Sequence, residues 1–275
     1  MICRQCKNEY QPLFYDLLGL HILRGDGMCP DCSAKKLADD EAAELLAKTA
    51  SMDRMRRERR KTCGIPPKYL TQDFSSFKPN WQDKARTHCW DYAENFPITG
   101  KRPKGYKSLY LWSATSWGTG KTHLACAIIH RILDRWQDDA LRCPRMMFIS
   151  EPDLFRRIQA TYSYSQEEQR IRESESDIIN SITTADLVVL DDVGKEPRTD
   201  MRFVRRTLFG IINGRYDNHL PLIITANLNP TDLKTHLDEP PTEASFNRFI
   251  EMSQGVSIRM DGKSYRTEII KEERL

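Results

Sequence analysis

Three short apolar runs punctuate the chain, each ending in a polar or glycine-rich stretch: Leu109-Tyr110-Leu111-Trp112, Leu187-Val188-Val189-Leu190 and Leu220-Pro221-Leu222-Ile223-Ile224-Thr225-Ala226. Continuous runs of this length, rich in Leu and β-branched residues, predict strands buried on both faces of a parallel sheet. Between the first two lies Ala125-Cys126-Ala127-Ile128-Ile129, which predicts an apolar helix. The pattern predicts an α/β fold, a central parallel sheet flanked by helices. Upstream, residues 34 to 61 contain neither Gly nor Pro and are rich in Ala, Leu, Lys, Glu and Arg, which predicts a helix. On it Ala38, Ala42, Leu45, Thr49 and Met52 recur at steps of four and three, a narrow apolar stripe. Gly64-Ile65-Pro66-Pro67 breaks that helix. Residues 162 to 182 are polar and charged, with a helix predicted over 166–180, and 238–244 with Pro240-Pro241 predicts a loop.

Composition narrows the classes. The 275 residues carry a net charge of +3 with 29% charged side chains, a mixed rather than strongly basic surface. No run approaches the ~18 apolar residues of a membrane span. The N-terminus opens on a cysteine pair with no charged-then-apolar leader, which predicts a cytoplasmic, unoxidised protein with no membrane partner.

The chemistry concentrates after the first apolar run. Thr115-Ser116-Trp117-Gly118-Thr119-Gly120-Lys121-Thr122 leads from predicted strand to predicted helix. Glycines let backbone N–H groups turn around an oxyanion, and the helix N-terminus adds partial positive charge. Lys121 can reach the β- and γ-phosphates, and the Thr122 hydroxyl can ligate Mg²⁺. Thr115 stands where the pattern G-x-x-x-x-G-K-[ST] has its first Gly, and Trp117 is bulky for its place. The second run ends in Asp191-Asp192, at the strand edge where open α/β sheets collect ligands. Asp191 is placed to hold Mg²⁺ through water, and Asp192 to polarise an attacking water; the bland alternative is two acids solvating a strand end. Asn227 closes the third run, either orienting water and the γ-phosphate or merely starting the turn that Asn-Leu-Asn-Pro encodes.

Cys3-Arg4-Gln5-Cys6 and Cys29-Pro30-Asp31-Cys32 form a C-x₂-C … C-x₂-C set, which predicts a tetrahedral Zn²⁺ site. The intervening 22 residues exceed the usual spacing, and Gly25-Asp26-Gly27 predicts a turn before the second pair. His21 is a substitute ligand that a fourth Cys makes unnecessary. An Fe–S cluster shares the ligand count, and disulfides suit a secreted protein instead. Cys63, Cys89, Cys126 and Cys143 show no ligand spacing.

From Gly64 to about Arg266 the chain resembles the AAA+ ATPases of the DnaC/DnaI helicase-loader and IstB group. The resemblance rests on Gly64-Ile65-Pro66-Pro67-Lys68-Tyr69 with Phe74 and Phe77, and on the phosphate loop. It extends through Leu190-Asp191-Asp192-Val193-Gly194, Leu208 to Tyr216, Ile223 to Leu228, Phe246-Asn247-Arg248-Phe249-Ile250-Glu251 and Ser264-Tyr265-Arg266. It implies an AAA+ P-loop core lacking a helical lid, with ATP and Mg²⁺ as cofactors. By resemblance Asn227 is the sensor residue and Arg248 an arginine finger that reaches a neighbouring subunit's nucleotide; a surface salt bridge is the alternative for Arg248. Many AAA+ proteins carry Glu at the place of Asp192, so hydrolysis is expected to be slow. The organisation expected is a zinc ribbon at 1–34, a basic helical linker at 35–62 and an ATPase domain at 63–275.

The function this implies is ATP-dependent loading of a replicative DNA helicase onto single-stranded DNA, with self-association into an open ring or helical oligomer. Arg170 and Arg172 are the DNA-contact candidates by resemblance. The basic stretch from Arg54 to Lys61 suits nucleic-acid phosphate, an acidic helicase face, or simply the negative end of the helix macrodipole. Three rival readings stand beside the loader. One is an IstB-like transposition helper; another is a nucleotide-binding scaffold with little hydrolysis. The third, a small-molecule P-loop kinase, is disfavoured by Asn227, Arg248 and the missing lid.

Overall fold

The structure, a computed structural model, describes residues 1–265 other than 18–19, 25–26, 79–81, 166, 168–170 and 196–199. Gly25, Asp26, Arg170 and Arg266, named above, lie outside the described residues. The chain divides into two compact units, Met1–Met55 and Arg56–Leu275.

In the first unit a hairpin of β1 (Leu13–Leu17) and β2 (Leu20–Arg24) fills the space between the two cysteine pairs. The strands run antiparallel from Leu13 opposite Arg24 to Leu17 opposite Leu20. This hairpin accounts for the long spacing between the pairs. Helix α1 (Pro30–Thr62) begins inside the second pair, with Pro30 at the first helical position, where its missing N–H costs nothing. Of the predicted stripe only Met52 is buried; Ala38, Ala42, Leu45 and Thr49 are exposed. The stripe is mostly Ala and Thr, whose side chains carry little apolar area to drive burial.

The second unit is built on a five-stranded sheet of order β4-β5-β6-β3-β7. Its strands are β3 (Leu109–Trp112), β4 (Met146–Ser150), β5 (Leu187–Val193), β6 (Leu222–Ala226) and β7 (Ser257–Arg259), all parallel to their neighbours. The three apolar runs are therefore the three central strands. Strand periodicity sends alternate side chains to opposite faces. Leu109, Leu111, Leu187, Val189 and Ile223 pack with α2 (Asp83–Asn95) and α3 (Lys121–Arg135) on one face. Tyr110, Val188, Leu190, Leu222 and Ile224 pack on the other. That face is covered by α4 (Glu151–Thr161), α5 (Glu175–Thr184), α6 (Met201–Asp217), α7 (Pro230–Leu237) and α8 (Ala244–Met252). The result is three layers around one sheet buried on both sides. No helix among the described residues is long and apolar enough to cross a membrane.

Two local expectations change. The helix predicted over 166–180 starts at Glu175, because Ser174 and Asp177 form a reciprocal capping box that fixes its first turn. The basic end of α1 is partly structural: Arg56 donates from Nε and Nη2 to the Trp136 carbonyl at 2.9 and 2.7 Å, and Arg60 pairs with Asp134. Trp136 ends α3, so Arg56 satisfies a carbonyl that has no partner within that helix.

Candidate functional site

The sheet order decides what meets at its carboxyl edge. Strand β6 lies between β3, which leads into the phosphate loop, and β5, which carries the acids. Residues at the end of β6 therefore reach both. Thr225 donates its hydroxyl to Asp191 Oδ1 at 2.6 Å and accepts from the Asp192 backbone N–H at 3.0 Å. Thr122, at the start of α3, lies 3.0 Å from Asp191 Oδ1 and 3.2 Å from Oδ2. Just past β6, Asn227 accepts at Oδ1 from Lys121 Nζ at 2.8 Å, and Thr119 Oγ1 lies 3.3 Å from the same ammonium. Two hydrogen-bonded pairs, Lys121–Asn227 and Thr122–Asp191, separated by 106 and 69 residues in the chain, thus meet side by side at the start of α3.

Burial sets its electrostatics. The Lys121 ammonium is pushed down to about 8 by desolvation, against the pull of Asp192 and Asp191. Asp191 is pushed up to about 6 by its own burial, reinforced by the Asp192 charge and opposed by the Thr225 and Thr122 hydrogen bonds. A buried carboxylate beside two hydroxyls and a lysine is a site that gains from a divalent cation and an anion arriving together.

Backbone geometry explains the loop's composition. Gly120 has φ +95°, and a Cβ there would lie 2.6 Å from the Phe77 ring, so only glycine fits. Thr115 has no positive φ, so its replacement of the motif's first glycine carries no backbone strain. Asp192 sits at φ +58°, beside a register shift between β5 and β6. Asp tolerates this left-handed region better than most residues, a local reason for the shorter acid at this place. Gly194, at φ +87°, donates its N–H to the buried carboxylate of Glu151 at 2.7 Å, and Glu151 also meets His236 at 2.7 Å.

A cavity of about 310 Å³ opens above this group. Trp117, Gly118, Thr119, Gly120, Lys121 and Thr122 form one wall, with Asp192 and Asn227 opposite. Thr115 and Ser116 stand outside the wall, their hydroxyls 3.5 Å apart, with Ser116 Oγ accepting from Gly262 N–H at 3.3 Å. The rest of the lining mixes three aromatic rings, Tyr69, Phe77 and Tyr265, with polar Gln72, Ser76, Lys78, His123 and Lys195. Phe77 and Tyr265 have ring centroids 5.9 Å apart. Sequence reasoning attached no chemistry to Tyr69, Gln72, Phe77 or Tyr265. Nor did it find Thr225, whose role follows only from β6 lying beside β5, or Lys195, which lines the cavity next to Asp192.

Arg248 lies elsewhere. It is half-buried on α8, its guanidinium 5.4 Å from the Phe209 ring and 5.8 Å from the Tyr216 ring. Its Nη1 is buried without a hydrogen-bond partner, and among the described residues it joins no salt bridge. The salt-bridge alternative therefore finds no carboxylate. Arg172 stacks over Tyr164 at 5.1 Å, away from the cavity.

The four N-terminal cysteines converge: the sulfurs of Cys3, Cys6, Cys29 and Cys32 all lie within 4.8 Å of one another, and Cys6 and Cys29 are 3.7 Å apart. None of the four is joined to another in a disulfide. A tetrahedron with Zn–S bonds of about 2.3 Å has edges of about 3.8 Å, so the four donors fit a bound Zn²⁺. Cys63, Cys89 and Cys126 are buried and Cys143 half-buried, none in a ligand cluster.

Comparison with known proteins agrees with this geometry. Residues 111–272 match the family of IstB-like ATP binding proteins. The replicative helicase loader DnaC of Escherichia coli K12 is 24% identical over 178 residues, covering 64% of this chain; a Shigella flexneri DnaC matches equally. The chain spans 63% of the length of these relatives. Among solved structures, DnaI superposes with a TM-score of 0.55 at 22% identity, covering 74% of this chain and 97% of DnaI. The DnaC helicase loader superposes at 0.52 with 21% identity, covering 71% of this chain and all of that one. With more than half of its length, residues 111–272, matching that family model, the chain belongs to the IstB-like ATP-binding family, on the AAA+ fold it shares with DnaC and DnaI.

Proposed function

We propose that this protein is an ATP-dependent loader of a replicative DNA helicase onto single-stranded DNA. The observation that carries the ATP part is the joining of Lys121, Thr122, Asp191 and Asn227 at the sheet edge. The backbone N–H groups of Gly118 to Thr122 and the Lys121 ammonium receive the phosphates. Thr122 and Asp191 would hold Mg²⁺, which would supply positive charge to the phosphates. Asp192 orients and polarises the attacking water, and Asn227 fixes the γ-phosphate once Lys121 turns from it to the ligand. Tyr69, Phe77 and Tyr265 offer the base their aromatic rings. Arg248 acts on the nucleotide of a neighbouring copy, so hydrolysis depends on self-association into an open ring or helix. The helicase part rests on the likeness to DnaC. The zinc ribbon (1–34) and helical linker (35–62) ahead of the ATPase domain (63–275) supply a partner-binding module. An IstB-like transposition helper is favoured instead by the family match alone. Affinity capture from the source cell separates them: a replicative helicase retained in the presence of ATP supports the loader, and a transposase in its place refutes it.

Two outcomes are expected at the two sites. Mg²⁺–nucleotide affinity should be flat between about pH 6 and 8. Below about 6, protons compete with Mg²⁺ for Asp191; above about 8, free Lys121 loses its charge, and affinity falls on both sides. Titration of a fluorescent ATP analogue from pH 5 to 9.5 checks this; constant affinity down to pH 5 contradicts Asp191 as a metal ligand. At the ribbon, one Zn²⁺ should bind per chain, and Cys29→Ser should lose it and loosen residues before about 35 while ATP binding survives, because metal binding supplies the folding free energy of such small modules. Elemental analysis finding iron in place of zinc, or neither, rejects the assignment.

A further inference from the structure

Lys195 has no part in the motifs that identify the family, yet it stands in the middle of the site. Its Nζ lies 2.6 Å from Asp192 Oδ2 and 5.7 Å from the Trp117 ring centroid. Lys195, Asp192 and Trp117 all line the cavity that Lys121 enters. The ammonium is thus held between the acid proposed to activate water and the aromatic face of the phosphate loop. Among the described residues the cavity wall contains three lysines, Lys78, Lys121 and Lys195, and no arginine. Of these, among the described residues, only Lys195 is ion-paired with an acid of the site.

This pairing has a mechanistic consequence. An Asp192 carboxylate neutralised at 2.6 Å by an ammonium is a weak acceptor for the proton of an attacking water. The lysine must leave before the acid can work. A four-carbon stem allows that movement, and a γ-phosphate carries more negative charge than the carboxylate it would replace as partner. The Trp117 face gives the cation a favourable resting surface along the way, since cation–π attraction extends to about 6 Å from the ring centroid. Trp117, the bulky residue in the loop, then has a use: it keeps the Lys195 head within reach of both anions.

We propose that Lys195 is a γ-phosphate-contacting residue that masks Asp192 while the γ-phosphate position is empty and unmasks it when ATP is bound. In the empty and ADP-bound states it stays on Asp192. In the ATP-bound state it moves to the γ-phosphate oxygens and leaves the Asp192 carboxylate to the water. The inference rests on the reading of the cavity as an ATP site and adds a nucleotide-sensing element to it.

The test is the ratio of two affinities. Mg²⁺–ATPγS and Mg²⁺–ADP are titrated into the full-length wild type, Lys195→Met and Lys195→Arg. Lys195→Met keeps an unbranched apolar stem that can lie on Trp117. It should weaken ATPγS binding about tenfold or more, the scale of one charged hydrogen bond, while leaving ADP within about threefold. Lys195→Arg should recover most of the ATPγS preference. ADP binding doubles as the control for folding. A structural ion pair would weaken both nucleotides together or neither, and either result overturns the proposal while wild-type ATP binding stands. Wild-type protein that binds neither nucleotide overturns the ATP-site reading itself.

Discussion

Lys121→Ala should lose ATP binding by at least about a hundredfold, whereas Asp192→Asn should keep binding and lose turnover. The two residues line the same cavity but meet the nucleotide at different stages. Lys121 is 6% exposed and its ammonium lies at the cavity wall, held by Asn227 and Thr119 until an anion takes their place. In the proposed reaction it contacts ground-state phosphate, and each hydrogen bond to a charged group contributes about 1.5–3 kcal/mol; two such bonds lost together give the expected factor. In the proposed reaction Asp192 acts on the water. Its amide keeps the shape but has far weaker basicity, and general-base contributions are typically about 10²–10⁴ in rate. Fluorescent ATP titration separates the pair from steady-state hydrolysis. Equal loss of binding in both variants contradicts these roles.

Much of this site was legible in the sequence because its parts are local. A strand, a glycine loop and a helix start are consecutive in the chain, so Gly118 to Thr122 could be placed before any fold was known. The acids at 191 and 192 end an apolar run, and a carboxylate at a strand end has one edge of the sheet to occupy. What the sequence could not give is adjacency across the sheet. Nothing in the chain says that β6 inserts between β3 and β5, so the Thr225 hydroxyl that meets the Asp191 carboxylate and the Asp192 backbone reads only as one more β-branched strand residue. Lys195 hides for a different reason. It follows a left-handed residue, Asp192 at φ +58°, beside the register shift between β5 and β6, and no apolar run or motif signals that local path. The predicted stripe on α1 erred in the opposite direction: periodicity was present, but Ala and Thr carried too little apolar area for it to be buried.

Arg248→Ala should bind ATP normally yet lose about 10³ or more in ATPase rate, the scale of a missing arginine finger. The geometry within one chain is the reason to expect the split. Arg248 lines no part of the cavity that holds Lys121 and Asp192, so its removal leaves binding by the same chain intact. Its guanidinium rests near two aromatic rings with one buried nitrogen unsatisfied. A guanidinium that pairs with no carboxylate among the described residues keeps its full charge for a phosphate of a neighbouring copy. Mixing tests the trans arrangement directly. Arg248→Ala supplies an intact phosphate loop, and Lys121→Ala supplies an intact finger. Combined on single-stranded DNA, the two inactive variants should regain partial ATPase activity, because some interfaces pair a sound loop with a sound arginine. Oligomers that assemble on DNA without any recovered activity would place Arg248 among structural residues, held by Phe209 and Tyr216, and would favour a scaffold that binds ATP with little hydrolysis.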